Sequence, residues 1–216
     1  MSLLSFTLHN SCYINKGRSG VGRLVARAAG VAIPPTRFVE PGDVPVLPVG
    51  PAGFVVKPAV GAGSRDAARY EGTDHDRESA IAHVDRLHRV GRSVLVQPFL
   101  ESIPRLGEWP LVFLDGEFSH AANKRVALPR AGAVEGLFAA EDNRPAEVSR
   151  ELVAVGRAAI EVAAKACGEV PLYGRVDLVL DDAGTPCVLE VELVEPSLFL
   201  PEHRAATPRV ARAFVA

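Results

Sequence analysis

Apolar and polar positions along this chain sort into short runs of strand length and longer stretches of helical period. Phe54-Val55-Val56-Lys57 and Val94-Leu95-Val96-Gln97 read as strands. Leu111-Val112-Phe113-Leu114 and Glu117-Phe118-Ser119-His120 flank Asp115-Gly116, a strong hairpin signal. A second hairpin is predicted from Tyr173-Gly174-Arg175-Val176-Asp177-Leu178-Val179-Leu180 and Pro186-Cys187-Val188-Leu189-Glu190-Val191-Glu192-Leu193. Helical spacing predicts a helix over 76–90, with Ile81, Val84 and Leu87 on one stripe. It predicts the longest helix over 145–166, through Val148, Leu152, Val155, Ala159 and Val162. A short helix over 21–29 stops at Gly30, and a last one begins at Thr207-Pro208, a cap followed by proline. Residues 31–40 read as extended, 41–52 as a proline-rich loop, and 1–18 show no clear period.

The predicted order is strand, glycine loop, helix, strand, hairpin, helix, hairpin, helix. Hairpins pair antiparallel, which excludes a purely parallel doubly wound sheet. The expectation is an α+β fold of two lobes with a cleft between them. Residues 1–20 are an irregular N-terminal segment, 21–95 a small lobe with the glycine-rich loop, and 96–216 a large lobe with the second hairpin.

Composition narrows the function classes. The chain has 216 residues, 48% of them hydrophobic, enough for a sizeable core. A net charge of -2 gives no electrostatic case for nucleic acid. No apolar run reaches the roughly 18 residues of a membrane span. The three cysteines, Cys12, Cys167 and Cys187, show no metal spacing, and with no signal-peptide pattern at the start a cytoplasmic protein is expected.

Candidate chemistry concentrates in the second hairpin. A two-residue turn at Ala183-Gly184 sets Asp177 opposite Glu190 and Arg175 opposite Glu192, all on one face by strand alternation. The other face is left to Val176, Leu178, Leu180, Cys187, Leu189, Val191 and Leu193. Opposed carboxylates repel unless a cation lies between them, and oxygen donors suit Mg²⁺. A solvated edge screened by Arg175 is the other reading, and the hairpin alone leaves both open. Lys57 ends an apolar strand, where either an anion offsets its desolvation or its stem snorkels out to solvent as an ordinary strand-end lysine. The backbone of Gly61-Ala62-Gly63-Ser64 could cover phosphate oxygens, or be an ordinary turn. Arg65 and Arg69 follow it as candidate phosphate contacts or solvated charges. Pro98 removes a ladder donor and is expected to end regular pairing, so the backbone from Gln97 to Leu100, beside Phe99, could meet a purine edge and Glu101 a ribose hydroxyl, or the strand simply ends there. Lys124 and Arg125 lie past a strand end, as cleft cations or as surface charges. The six histidines show no metal grouping, and no nucleophile–base pair stands out.

In this order, these segments resemble the ATP-grasp superfamily, and within it bacterial proteins with a glutathione-synthetase-type ATP-binding domain. The matching residues are Phe54-Val55-Val56-Lys57-Pro58, Gly61 to Tyr70, Val96-Gln97-Pro98-Phe99-Leu100, Gly107-Glu108, Gly116 to Ala121, Arg175-Val176-Asp177-Leu178 and Leu189 to Ser197. The resemblance covers about residues 30–215. It implies an ATP-grasp fold with ATP in the cleft. Lys57 would hold the α/β-phosphates, Gly61, Gly63 and Ser64 would cover them, Gln97, Pro98, Phe99 and Leu100 would bind adenine, and Glu101 would meet the ribose. Lys124 or Arg125 would contact the γ-phosphate or the acceptor carboxylate, with Arg175 a further phosphate contact. Asp177, Glu190 and Glu192 would hold two Mg²⁺ ions. Glu192 stands where many members have asparagine.

The implied activity is an ADP-forming carboxylate–amine ligase working through an acylphosphate on small-molecule substrates. The alternative is an ATP-grasp module that binds nucleotide or a partner without turnover. Full-length members carry a further N-terminal domain, so the expectation includes a homodimer or a separate chain supplying it. The second ATP lysine of the family has Lys16 as its local candidate.

Overall fold

The computed structural model describes residues 31–50, 53–60, 65–126, 141–193 and 195–215, and these build two antiparallel sheets. The expected helix over 21–29 and the residues Lys16, Gly61, Gly63 and Ser64 lie outside this set.

The first sheet contains β1 (Arg37–Val39), β2 (Phe54–Pro58), β3 (Ala68–Tyr70) and β4 (Val94–Pro98), in the order β1-β4-β2-β3. Its core face is Val39, Phe54, Val56, Ala68, Tyr70, Val94 and Val96. Helix α1 (Asp74–Arg89) covers this face with Ala80, Val84 and Leu87. It starts where Thr73 Oγ1 accepts the Asp76 N–H, so the helix begins two residues before the expected position. Ile81 was expected on the buried stripe but is 42% exposed; Ala80 and His83 are buried instead. Strand alternation puts Lys57, Val55, Leu95, Gln97 and Arg69 on the opposite face, where the register pairs Val55 with Arg69 and Gln97, and Lys57 with Leu95.

The second sheet contains β5 (Trp109–Leu114), β6 (Glu117–Val126), β7 (Glu141–Ala146), β8 (Tyr173–Leu180) and β9 (Pro186–Glu192), in the order β7-β6-β5-β8-β9. Helix α2 (Ser102–Leu106) precedes it, α3 (Arg150–Cys167) packs on it, and α4 (Thr207–Val215) closes the described chain. The core between α3 and the sheet joins Leu152, Ala159, Ile160 and Ala163 to Leu111, Phe113, Ala121, Val176, Leu178, Val188 and Val191. Gly156 permits the close approach, because a Cβ there would lie 2.9 Å from Phe113 Cζ. Asp115 and Gly116 both have positive φ (50° and 77°), as the hairpin signal requires.

Several sequence expectations are corrected. The long helix starts at Arg150, not 145: Ser149 Oγ caps the Leu152 N–H, while Pro145 and Ala146 end β7. β7 escaped the pattern because it is a polar edge strand with no apolar alternation. β3 and α2 were also unpredicted, each too short to show a period. Pro98 does not end pairing; it lies opposite Phe54, and the next N–H, of Phe99, still bonds Gly53 O.

The β8–β9 turn spans 181–185 rather than two residues, with Asp181 Oδ1 accepting the Ala183 and Thr185 N–H groups. A bulge between the Asp177 and Leu178 pairings offsets the longer turn, so Asp177 faces Glu190 and Arg175 faces Glu192 after all. The bulge also redistributes the apolar side chains. Val188 joins the α3 core, while Cys187 and Leu189 pack with Val179 and Leu100 in a separate cluster.

Candidate nucleotide and metal site

The candidate functional face of the second sheet is the one turned away from α3. Ala121 belongs to the α3 core, so alternation along β6 sends His120, Ala122 and Lys124 to the opposite face. The register extends that face across the sheet as a row of His120, Val112, Arg175 and Glu192, with a second row of Pro110, Asp177 and Glu190 beside it.

Asp177 is the centre of this face and is 1% exposed. Arg175 Nε donates to its Oδ1 at 2.6 Å and Arg175 Nη2 to its Oδ2 at 3.0 Å. Lys124 Nζ donates to the same Oδ2 at 3.0 Å and pairs with Glu108 Oε2 at 2.9 Å. Arg175 Nη2 also reaches Glu192 Oε1 at 2.5 Å. Burial alone would raise the Asp177 pKa, but Arg175 and Lys124 hold it at about 2. Burial also opposes charge on Lys124, and Asp177 and Glu108 outweigh it, keeping the ammonium charged. Burial and then Glu190 push Glu192 up to about 8, against the pull of Arg175.

Two charges stand outside this pairing. Among the described residues, neither Lys57 nor Glu190 has a hydrogen bond or ion pair, although Glu190 is the strongest attraction acting on Lys57. Burial lowers the Lys57 pKa, while burial and neighbouring Asp177 raise that of Glu190. Asp177, Glu190 and Glu192 each present one carboxylate oxygen within 4.8 Å of the others'. Three hard oxygen donors, one carboxylate without a hydrogen bond or ion pair among the described residues, fit a divalent cation such as Mg²⁺.

The structure separates the paired candidates Lys124 and Arg125: Lys124 is buried on the functional face, and Arg125 is exposed and next to it on the opposite one. Glu108, matched by the resemblance but given no role, belongs to the cluster through Lys124. Its signal in the sequence is the Gly107-Glu108 step alone; the backbone bridge that pairs Glu108 with Lys124 brings the two side chains together.

The expected adenine segment joins the two sheets. Gln97 turns its side chain to Thr36 Oγ1 at 2.8 Å, and the Phe99 N–H is taken by Gly53 O at 3.1 Å. Leu100 packs with Val179 and Cys187, with Leu189 against them. Ser102 then ties α2 to the hairpin, its N–H donating to Asp182 Oδ1 at 3.0 Å and its hydroxyl to Leu180 O. Glu101 is 56% exposed by side chain and pairs with Arg69 Nη2 at 3.4 Å. The Arg69 guanidinium also lies 3.5 Å over the Phe99 ring.

No family model matches the sequence. The chain is 38% identical over 196 residues to cycloserine biosynthesis protein DcsG of Streptomyces lavendulae, covering 86% of this chain and 64% of that relative. The crystal structure of D-cycloserine synthetase DcsG superposes with a TM-score of 0.70 at 32% identity, over 89% of this chain and 68% of that one. D-alanine–D-alanine ligase of Bacillus anthracis complexed with ATP gives 0.60 at 17% identity, over 90% and 61%. ATP-grasp ligase PsnB complexed with minimal precursor gives 0.54 at 17% identity, over 90% and 58%. The last two show the shared fold. This chain spans about two thirds of the length of DcsG. No helix among the described residues is long and apolar enough to cross a membrane.

Proposed function

Since the chain belongs to the ATP-grasp superfamily, we propose that it is the ATP-binding catalytic core of an ADP-forming carboxylate–amine ligase. One observation carries this reading. Lys57 and Glu190 are opposite charges on different sheets, close enough for Glu190 to act on the Lys57 ammonium, each without a hydrogen bond or ion pair among the described residues. A phosphate supplies the anion that Lys57 lacks, and a divalent cation supplies the one that Glu190 lacks. Mg²⁺–polyphosphate brings both together. Likeness to DcsG and to a ligase complexed with ATP supports the same assignment.

In this reading Lys57 binds the α/β-phosphates, and the segment from Gln97 to Leu100 holds adenine through the backbone groups that its own pairing leaves available. Glu101, paired with Arg69, would meet the ribose. Asp177, Glu190 and Glu192 would hold two Mg²⁺ ions, which would offset the negative charge of the phosphates. Lys124 and Arg175 would balance the charge on the equatorial oxygens of the transferring γ-phosphoryl group. The substrate carboxylate attacks the γ-phosphorus in line, and ADP leaves. The amine then attacks the acyl carbon, the C–O bond to phosphate breaks, and phosphate departs with the amide formed. Positioning and charge neutralisation suffice for both steps, with no side-chain nucleophile.

ADP release from the full chain, measured over a panel of carboxylate and amine pairs, tests the activity. Carboxylate-dependent ADP release supports the ligase. ATP binding without turnover on any pair would favour a nucleotide-binding module, and absence of ATP·Mg²⁺ binding would contradict both.

A further inference from the structure

We propose that Arg175 stands in for the metal at this site, so that the carboxylates accept a divalent cation only together with a polyphosphate. The inference rests on the nucleotide reading above and adds to it an exchange of cations on Asp177.

Arg175 already holds the oxygens that a metal would use. Its Nε and Nη2 take both oxygens of Asp177, at 2.6 and 3.0 Å, and Nη2 takes Glu192 Oε1 at 2.5 Å. Lys124 adds a second cation to Asp177 Oδ2 at 3.0 Å. Mg²⁺ bonds its oxygens at about 2.0–2.1 Å. It therefore competes directly with the guanidinium for Asp177 and Glu192, and only Glu190 is available to it without exchange.

The displaced guanidinium needs a new partner. Arg175 is 6% exposed, and stripping the counter-charge from a buried ion is strongly unfavourable. A free divalent cation brings positive charge alone and leaves this cost standing. A polyphosphate brings oxygens that a planar guanidinium binds in pairs, so it can receive Arg175 as the metal takes the carboxylates. The Phe199 ring, 5.6 Å from the Arg175 guanidinium carbon, gives the group an apolar wall on one side. Coupling of this kind is reciprocal: polyphosphate and metal must raise each other's affinity by one factor.

The test uses Mn²⁺ as the metal, counted free and bound by electron paramagnetic resonance, and the imido analogue AMP-PNP as the polyphosphate. With the wild-type full chain, saturating AMP-PNP is expected to tighten Mn²⁺ binding by about tenfold or more, within the usual range of such couplings. Saturating Mn²⁺ should tighten AMP-PNP by the same factor. Arg175→Met is expected to bind Mn²⁺ alone more tightly than wild type and to show a smaller coupling. A merely structural role for Arg175 would not produce a gain of metal affinity. Arg175→Lys keeps the charge but cannot span both carboxylates, so it should fall between the two. It also carries the test if the methionine variant does not fold. Wild-type affinity for Mn²⁺ alone equal to that with AMP-PNP would overturn the exchange, as would a lysine variant that matches wild type while AMP-PNP still binds. If AMP-PNP and Mn²⁺ fail to bind any of the proteins, singly or together, the nucleotide reading itself is overturned.

Discussion

At the scale of single residues, chemistry is decided by which charges the fold pairs and which it leaves over. Asp177 has three donors on it, whereas Glu190, directly opposite, has no hydrogen bond or ion pair among the described residues. Lys57→Ala should weaken ATP binding by about tenfold or more, since a charge-assisted contact contributes about 1.5–3 kcal/mol. An unchanged dissociation constant would make Lys57 a structural residue. Asp177→Asn should abolish metal-dependent turnover and leave the far-ultraviolet circular dichroism as in wild type.

A residue away from the site carries a pH prediction. His83 Nδ1 lies 2.9 Å from Tyr70 Oη in the first core, and burial, then Arg86, lowers its pKa. The unfolded chain therefore takes up this proton before the folded one does. Stability from neutral His83 is complete above its ordinary value of 6.5 and is lost as pH falls below it. Thermal melts between pH 7 and pH 5 should show a smaller drop for His83→Gln than for wild type, on the order of the one-proton slope.

Elements were legible where the signal was local and strong. Asp115-Gly116 specified its hairpin because that turn needs positive φ at both positions, and Thr207-Pro208 marked a helix start because proline tolerates the first turn. Helix α3 was found but begun too early, since hydrophobic period alone does not see that Ser149 caps it. The acidic pairing was read correctly from a turn of the wrong length. A five-residue turn and a bulge beside Asp177 offset one another, and the bulge carries no signal in the sequence. For the same reason Val188 was missed as a core residue and Leu189 assigned to the wrong cluster. The contact of Glu108 with Lys124 depends on strand pairing across the sheet and lies beyond any local pattern. At this scale Gly156→Val tests the packing of α3. Its side chain would meet Phe113 and Leu111, and the expected loss, read by urea unfolding, is about 1–3 kcal/mol.

At the scale of the whole molecule, the first sheet contributes Lys57 and the second the carboxylates Asp177 and Glu190 that act on its charge. The joint between them is built from the segment that follows β4: Phe99 under Arg69, Leu100 against Val179, and Ser102 bonded to Asp182. A ligand spanning both faces should stabilise the pair together, so ATP with Mg²⁺ should raise the melting temperature more than either component alone. The central claim is that Lys57 and Glu190 are completed by one Mg²⁺–polyphosphate. Its most direct test is calorimetric titration of ATP, in the presence of Mg²⁺, into the wild-type chain and into Glu190→Gln. Wild type should bind saturably, and the variant should bind about tenfold or more weakly, as expected for the loss of a charged ligand group. Equal affinity in the two proteins would contradict it.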